Sequence, residues 1–327
     1  MPKKTATISD VAKRANVGVG TVSRVINGGQ SVSKKTIEKV NAIIAETGFI
    51  PNANAQKFRS RSSKLIALMV PIVYHPFYAA LIEAVERELD KAGYRMLLVA
   101  SQRREQKESE IIKLIKAKHV DGAIFVTHYP HSEEEVRGCA IVSIDRNLGD
   151  EVPVVTSDNF SGTLAGLNHL KECGCRKIAY LGGKPDVYSS VNLRKIAYEA
   201  FVKENGFQTY LTYEHCHHGD ERLLAKKLLD TFPDADGIFA AGYQLGIELI
   251  KELHERNIKV PEEKQVVVYD GAFSEFEIGN DLTAVAQPID AMAEQAVRLL
   301  IDQLKGKKSP IKEFVLNAAL VKGRTTK

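Results

Sequence analysis

From Leu65 onward, short apolar runs alternate with longer stretches in which apolar residues recur at helical spacing. Strand patterns over 65–70, 96–100, 123–126, 140–144 and 154–156 interleave with helix patterns over 77–92, 105–117 and 161–173. The second half repeats the scheme, with strands over 178–181, 237–241 and 265–269 and helices over 192–204, 219–232, 246–257 and 289–305. This alternation implies parallel sheets, because a strand that returns parallel to its neighbour needs a helix to carry the chain back, and that crossover is right-handed. Two halves of similar length predict an α/β fold with two Rossmann-like lobes and a crevice at the carboxyl ends of their strands.

The 327 residues suit about two domains at a prior of roughly 150 residues each. Hydrophobic residues make up 44% and charged residues 26%, which excludes a disordered, collagenous or disulfide-stapled chain. A membrane span needs roughly 18 consecutive apolar residues, and the longest run, 65–73, falls far short, so no membrane partner is expected. The start, MPKKTATISD, lacks the apolar segment of a signal peptide. Four scattered cysteines, Cys139, Cys173, Cys175 and Cys216, make no framework, and a reducing cytoplasm is the expected location.

Charge is spread unevenly. Residues 1–64 hold 12 Lys or Arg against 3 Asp or Glu, a net of +9, whereas the remainder holds 33 against 38, a net of −5. Such asymmetry predicts a polyanion-binding head on an acidic body. A solubilising basic tail would lack apolar periodicity, and this segment has it. Thr7-Ile8-Ser9-Asp10 has the form of a capping box, followed by Val11, Ala12 and Ala15 at helical spacing. Asn16-Val17-Gly18 breaks the pattern. A second helix fits 19–27, with Val22, Val25 and Ile26 inward, and Gly28-Gly29 stops it. Ser33 caps a third whose inner face is Ile37, Val40, Ile44 and Ala45, ending at Gly48. This is a helix-turn-helix head. The outer residues of its second helix, Val19, Gly20, Thr21, Ser23, Arg24 and Asn27, are small or hydrogen-bonding and include no acid, as a helix entering a major groove requires. An ordinary solvated face would read the same way.

The run 10–27, DVAKRANVGVGTVSRVIN, resembles the head of the lactose-repressor/galactose-repressor family of bacterial transcription regulators. Val11-Ala12, Val17, Thr21-Val22-Ser23-Arg24-Val25 and Asn27 carry the resemblance. It implies operator contacts from Thr7, Val19, Gly20, Thr21, Ser23, Arg24 and Asn27. Gly18 stands where members often carry a phosphate-contacting Ser, so no contact is carried over to it. The segment 49–58, with Pro51-Asn52, resembles the family's hinge helix and implies minor-groove contacts from Asn52, Ala55 and Phe58. So short a helix is marginal alone in water, which suits a switch. Phe58 replaces the family's wedging leucine. Phe also serves as a wedge between base steps, although a plain core contact fits it too. The implied boundaries are a head over 1–49, a hinge and linker over 50–64, and a sensing and dimerisation domain over 65–327. Its first lobe would span about 65–160 plus 289–316, and its second about 161–288 plus 317–327.

The resemblance continues through the body, on His75-Pro76-Phe77-Tyr78, Val120-Asp121-Gly122, Ile144-Asp145-Arg146, Ser157-Asp158-Asn159, Gly174-Cys175-Arg176-Lys177-Ile178, Val260-Pro261, Tyr269-Asp270-Gly271 and Leu282-Thr283 through Gln287-Pro288. It implies a fold like the periplasmic sugar-binding proteins, and the body looks most like the sucrose and ribose repressors of Gram-positive bacteria. Effector contacts are then implied at Phe77, Tyr78, Asp145, Arg194, Tyr243 and Asp270. Carboxylates accept from vicinal hydroxyls, Arg donates to sugar oxygens, and aromatics cover the apolar face of a ring. Each has a structural alternative: turn caps for Asp145 and Asp270, a solvated side chain for Arg194, plain core for Phe77 and Tyr78. Where the family has Asn-Asp or Asp-Asp, this chain has Gly242-Tyr243, which exchanges a polar contact for an aromatic one.

The resemblance implies a repressor of a carbohydrate-utilisation operon, controlled by a sugar or sugar phosphate. It would act as a homodimer on double-stranded operator DNA, because one small head makes too few contacts for specific affinity. The tail 317–327 has no heptad beyond it, which favours a dimer over a tetramer. A global regulator triggered by a phosphorylated carrier protein is the alternative within the family. An enzyme is disfavoured: no G-x-G-x-x-G follows the first strand, no Walker pattern occurs, and no nucleophile and base pair up, so neither catalytic residues nor a cofactor are expected. His215-Cys216-His217-His218 offers metal-ligand types, but consecutive residues cannot all face one ion, so a polar loop without metal is expected. A transport binding protein would carry a signal peptide and no DNA-binding head.

Overall fold

The computed structural model of the chain describes residues 6–26, 32–49, 62–102, 104–126, 131–149, 151–185, 189–215, 219–271, 281–307 and 309–327. The chain divides into two compact units, Met1–Ser63 and Lys64–Lys327.

In the first unit, helix α1 (Ile8–Ala15) opens on the expected capping box. The Thr7 N–H donates to Asp10 Oδ2 at 2.9 Å, and the Asp10 N–H donates to Thr7 Oγ1 at 3.3 Å. Asn16 ends the helix in the left-handed region, φ 52°, which Asn tolerates better than most residues. Helix α2 (Val19–Ile26) starts where the Gly18 carbonyl accepts from the N–H groups of Thr21 and Val22, at 2.8 and 3.2 Å. Helix α3 (Lys34–Thr47) is capped by Ser33 Oγ, which accepts from the Thr36 N–H, and ends at Gly48 with φ 63°. Val11, Ala12, Ala15, Val22, Val25, Val40 and Phe49 form the core of the three helices. Ala45 corrects the expected inner face: it is exposed, and Ile43 packs against the core in its place. At about 100° of arc per residue, positions three and four beyond Val40 share its face and the fifth turns outward.

In the second unit the chain runs through β1 (Leu65–Val70), α4 (Pro76–Lys91), β2 (Arg95–Ala100), α5 (Glu105–Lys116), β3 (Gly122–Phe125), the short α6 (Glu133–Val136), β4 (Ile141–Ile144) and β5 (Val154–Ser157). It crosses into a second lobe through α7 (Asn159–Glu172), β6 (Ile178–Lys184), α8 (Asn192–Asn205), β7 (Tyr210–His215), α9 (Glu221–Thr231), β8 (Gly237–Ala240), α10 (Tyr243–Glu255), β9 (Gln265–Tyr269) and β10 (Thr283–Ala286). Helix α11 (Ile289–Leu304) and β11 (Glu313–Leu316) return to the first lobe, and β12 (Ala319–Val321) ends in the second. The two sheets share one plan: β2-β1-β3-β4-β5-β11 and β7-β6-β8-β9-β10-β12. Central strands such as β3, β4 and β8 are buried at every residue, as expected of parallel strands covered by helices on both faces. In the first lobe, Leu81 and Leu89 of α4 share a core with Met292, Ala296 and Leu300 of α11, while Ile111, Ile112 and Ile115 of α5 cover the opposite face.

Strands β7, β10, β11 and β12 were not among the expected ones, and β12 corrects the expectation of purely parallel sheets. It pairs antiparallel with β10, through Ala284↔Val321, Val285↔Leu320 and Ala286↔Ala319. Strands β11 (EFVL) and β12 (ALV) are short, partly exposed edges with only three apolar residues each, too few to mark a strand on their own. Their pairing partners, rather than local hydrophobicity, make them strands.

In the first lobe, α5 and the residue before the cap of α6 supply a buried pair. His131 Nε2 is 2.8 Å from Glu108 Oε2, with both side chains fully buried, and Nδ1 lies 3.7 Å from Glu135 Oε2. Burial works against the imidazolium, but the hydrogen bond and charge of Glu108, with help from Glu135, more than offset it and raise the His131 pKa. Among the described residues, no helix is long and apolar enough to cross a membrane, and no three His, Cys, Asp or Glu side chains gather as metal ligands would. Cys216, His217 and His218 lie outside them.

Candidate functional site

The first candidate surface is α2. Val22 and Val25 point into the core, which leaves Val19, Gly20 and Arg24 exposed and Thr21 and Ser23 half-buried. A methyl group added at Gly18 or Gly20 would meet nothing within 4 Å, so a neighbouring molecule can approach the backbone closely here. The helix carries no acidic residue and has Arg24 in its last turn. Thr7 is exposed, with its hydroxyl engaged in the capping box, where it donates to Asp10 Oδ2 at 2.7 Å. Asn27, Asn52, Ala55 and Phe58 lie outside the described residues.

The second surface is a cleft of about 310 Å³ at the carboxyl ends of both sheets of the second unit. Phe77, Tyr78, Asp145, Arg194, Tyr243 and Asp270 all line it. Asp145 follows β4 and Asp270 follows β9. Phe77 and Tyr78 open α4 behind Pro76, whose fixed φ suits a first helical turn. Tyr243 begins α10, and Arg194 lies in the first turn of α8.

Arg194 is the most constrained of these side chains. It is 4% exposed; its Nε donates to Asn159 Oδ1 at 2.6 Å and its Nη1 to the Ala241 carbonyl at 2.7 Å. Nη1 also lies 3.5 Å from Asp270 Oδ2, and the guanidinium covers the Tyr269 ring 3.5 Å from its centroid. Burial works against this charge, but Asp270 and its neighbours more than compensate and keep the group protonated. Asp270 Oδ1 accepts from Gln287 Nε2 at 2.6 Å. The Gln287 side-chain oxygen, Oε1, is buried and has no partner among the described residues.

Asp145 sits in a network that spans the lobes. Thr156 Oγ1 lies 2.8 Å from Asp145 Oδ1 and 2.9 Å from Ser190 Oγ, and Ser190 Oγ donates to the Asp145 carbonyl at 3.0 Å. Burial pushes the Asp145 carboxyl up. Thr156, Arg194 and Ser190 pull it back, Asp270 adds to the rise, and the net is a raised pKa. Within the cleft lining, Tyr243 of the second lobe meets His75 of the first, ring centroids 5.9 Å apart and nearly perpendicular, and His75 lies 5.2 Å from Tyr78.

The cleft therefore joins carboxylate and amide acceptors, the guanidinium groups of Arg146 and Arg194 and an aromatic corner, a set that suits a ligand rich in hydroxyl groups. His75, Thr156, Asn159, Ser190, Tyr269 and Gln287 were missed as site residues. The segments 75–78, 157–159 and 287–288 carried the family resemblance, but nothing in their spacing marks them as meeting in space.

Residues 7–52 match the family described as bacterial regulatory proteins, lacI family, and residues 167–326 match a periplasmic binding protein-like domain. The ribose operon repressor of Halalkalibacterium halodurans is 32% identical over 326 residues, 98% of this chain and 97% of the relative. The sucrose operon repressor of Streptococcus mutans serotype c is 33% identical over 327 residues, covering 98% and 99%. Among solved structures, the lac repressor dimer bound to operator and the anti-inducer ONPF aligns over 99% of both chains at 24% identity, with a TM-score of 0.86. A complex of the transcriptional regulator CelR with cellobiose aligns over 98% and 99% at 29% identity, with a TM-score of 0.72.

Proposed function

Because the chain belongs to the lacI family of bacterial regulatory proteins, we infer that it is a DNA-binding repressor of a carbohydrate-utilisation operon, controlled by a sugar or sugar phosphate. It is a regulator and not an enzyme. The observation that carries the sensing half is the convergence of Asp145, Arg194 and Asp270 with Phe77, Tyr78 and Tyr243 on one cleft. The relatives named as ribose and sucrose operon repressors support the operon class.

In this reading the chain divides into a head over 1–49, a hinge over 50–64 and a sensing domain over 65–327, and works in the cytoplasm. Two copies present α2 to adjacent half-sites of a pseudo-palindrome. Val19, Gly20, Thr21, Ser23, Arg24 and Asn27 face the major groove, with Thr7 near the backbone. Asn52, Ala55 and Phe58 are assigned to the minor groove on the sequence resemblance alone. The basic head supplies affinity through counterion release, so binding falls steeply with salt. A sugar that bridges the lobes favours one lobe arrangement over the other and so shifts the hinge between helix and coil, a coupling of two sites through unequal binding to two states.

The test is a gel shift of the full chain on duplex fragments from its own chromosomal neighbourhood, with and without ribose, fructose, sucrose and their phosphates. Retardation that changes with one of these ligands is the expected result. No retardation of any fragment would overturn the reading. Co-purification of a phosphorylated carrier protein needed for DNA binding would point to a global regulator instead.

A further inference from the structure

Two thiols lie at the end of the second lobe opposite the cleft, where α7 finishes and β9 begins. Cys173 caps α7, Gly174 turns the chain with φ 92°, and Cys175 follows. That φ is open to glycine and strained for a residue with a side chain, so the tight return between the cysteines needs Gly174. Both are free thiols, Cys173 half-buried and Cys175 buried. Gln265, the first residue of β9, contacts both: its Nε2 donates to the Cys173 carbonyl at 3.0 Å and to Cys175 Sγ at 3.3 Å.

The two sulfurs have different surroundings. One helical turn before Cys173, His169 places Nε2 and Nδ1 at 3.6 and 3.8 Å from its Sγ. Burial, aided by Lys322 and opposed by Glu172, lowers the His169 pKa, so the imidazole is neutral at pH 7 and able to take a thiol proton. In the reduced chain Cys173 Sγ donates to the Lys327 carbonyl at 3.1 Å, which fixes the sulfur beside that ring. Cys175 has no such base. Burial pushes its thiol up to about 12, and because the thiolate is the nucleophile it does not attack first.

We propose that Cys173 and Cys175 form a reversible oxidation site for hydroperoxides, with Cys173 the attacking sulfur, His169 its base and Cys175 the resolving sulfur. His169 takes the Cys173 proton, and the thiolate attacks one oxygen of hydrogen peroxide. The O–O bond breaks, the leaving oxygen collects the proton as water, and Cys173 becomes a sulfenic acid. The Cys175 sulfur then attacks the Cys173 sulfur, the S–O bond breaks, and the hydroxyl leaves with the Cys175 proton as a second water. Two thiols give up two electrons and one peroxide accepts them. The disulfide closes a ring with one residue between the cysteines, and a strained bond of that kind is readily reduced, which suits a reversible site rather than a structural bridge.

The test treats the reduced full chain with hydrogen peroxide, alkylates the remaining thiols and maps peptides by mass spectrometry. The peptide carrying residues 173–175 is expected to lose two hydrogens about tenfold faster than Cys139 or Cys216 is oxidised, and dithiothreitol to restore it. Cys175→Ser is expected to stop at a Cys173 sulfenic acid that dimedone traps, and Cys173→Ser to leave Cys175 reduced. His169→Asn is expected to slow oxidation of Cys173 about tenfold at pH 7, with the deficit narrowing as rising pH ionises the thiol directly. In the unaltered chain, which needs no variant to fold, Cys173 and Cys175 still alkylatable once Cys139 is oxidised overturn the proposal. A disulfide from either cysteine to another position overturns it too, as does an unchanged rate and pH profile in His169→Asn. The sugar-sensing reading is independent of every one of these outcomes.

Discussion

Asp145 and Asp270 occupy equivalent places in the two lobes. Each follows the fourth strand of its sheet plan, each adopts the left-handed region (φ 63° and 66°), and each backbone N–H donates to the neighbouring strand, to Val155 at 3.0 Å and to Val285 at 2.9 Å. Positive φ is uncommon for a residue with a side chain, though Asp tolerates it better than most. Both residues line the cleft, one from each lobe.

Replacing either carboxylate by an amide keeps the shape and removes the charge. Asp145→Asn and Asp270→Asn are each expected to weaken sugar binding about tenfold to a hundredfold, since hydrogen bonds to charged groups contribute about 1.5–3 kcal/mol. Calorimetry with the tightest-binding sugar is the measurement. Undiminished affinity in both variants would show that the carboxylates serve only as turn residues.

On the head, Arg24→Ala is expected to reduce operator affinity about tenfold or more while leaving sugar affinity unchanged. Anisotropy titrations at several salt concentrations separate two roles. A shallower salt slope with uniform loss across sequences marks a phosphate contact, whereas loss confined to the operator marks base readout.

The His131–Glu108 pair predicts a pH dependence. The His131 pKa lies above its ordinary 6.5 in the folded chain, so the pair contributes stability fully below that value and loses it as pH rises through the higher folded one. The melting temperature of His131→Gln should therefore fall furthest below that of the unaltered chain near pH 6, with the gap narrowing by about pH 9. A gap that widens with pH would reverse the assignment.

Gly246 lies where α10 presses on β9. A Cβ placed there would stand 2.5 and 2.6 Å from the two methyls of the fully buried Val268, whose branched side chain has few rotamers to retreat into. Gly246→Ala is expected to destabilise by about 1–3 kcal/mol, visible as a melting temperature lower by several degrees. Gly20→Ala, where an added methyl meets nothing within 4 Å, is the control.

What the sequence determined by itself is what a few neighbouring residues settle among themselves. The Thr7–Asp10 capping box, the Ser33 and Gly48 limits of α3, the break at Asn16 and the strand–helix alternation all depend on contacts within one or two turns of chain. Ala45 marks the edge of that legibility, because choosing between adjacent apolar positions depends on where the neighbouring helices lie. Tertiary structure decided which distant residues meet. Arg194 binds Asn159, 35 positions away, only because the chain crosses between lobes beside α7, and Tyr243 reaches His75 only because both helices begin at the same crevice. Strands β11 and β12 are too short to stand out from sequence alone, and they form where they pair with the backbone groups at the edges of β5 and β10.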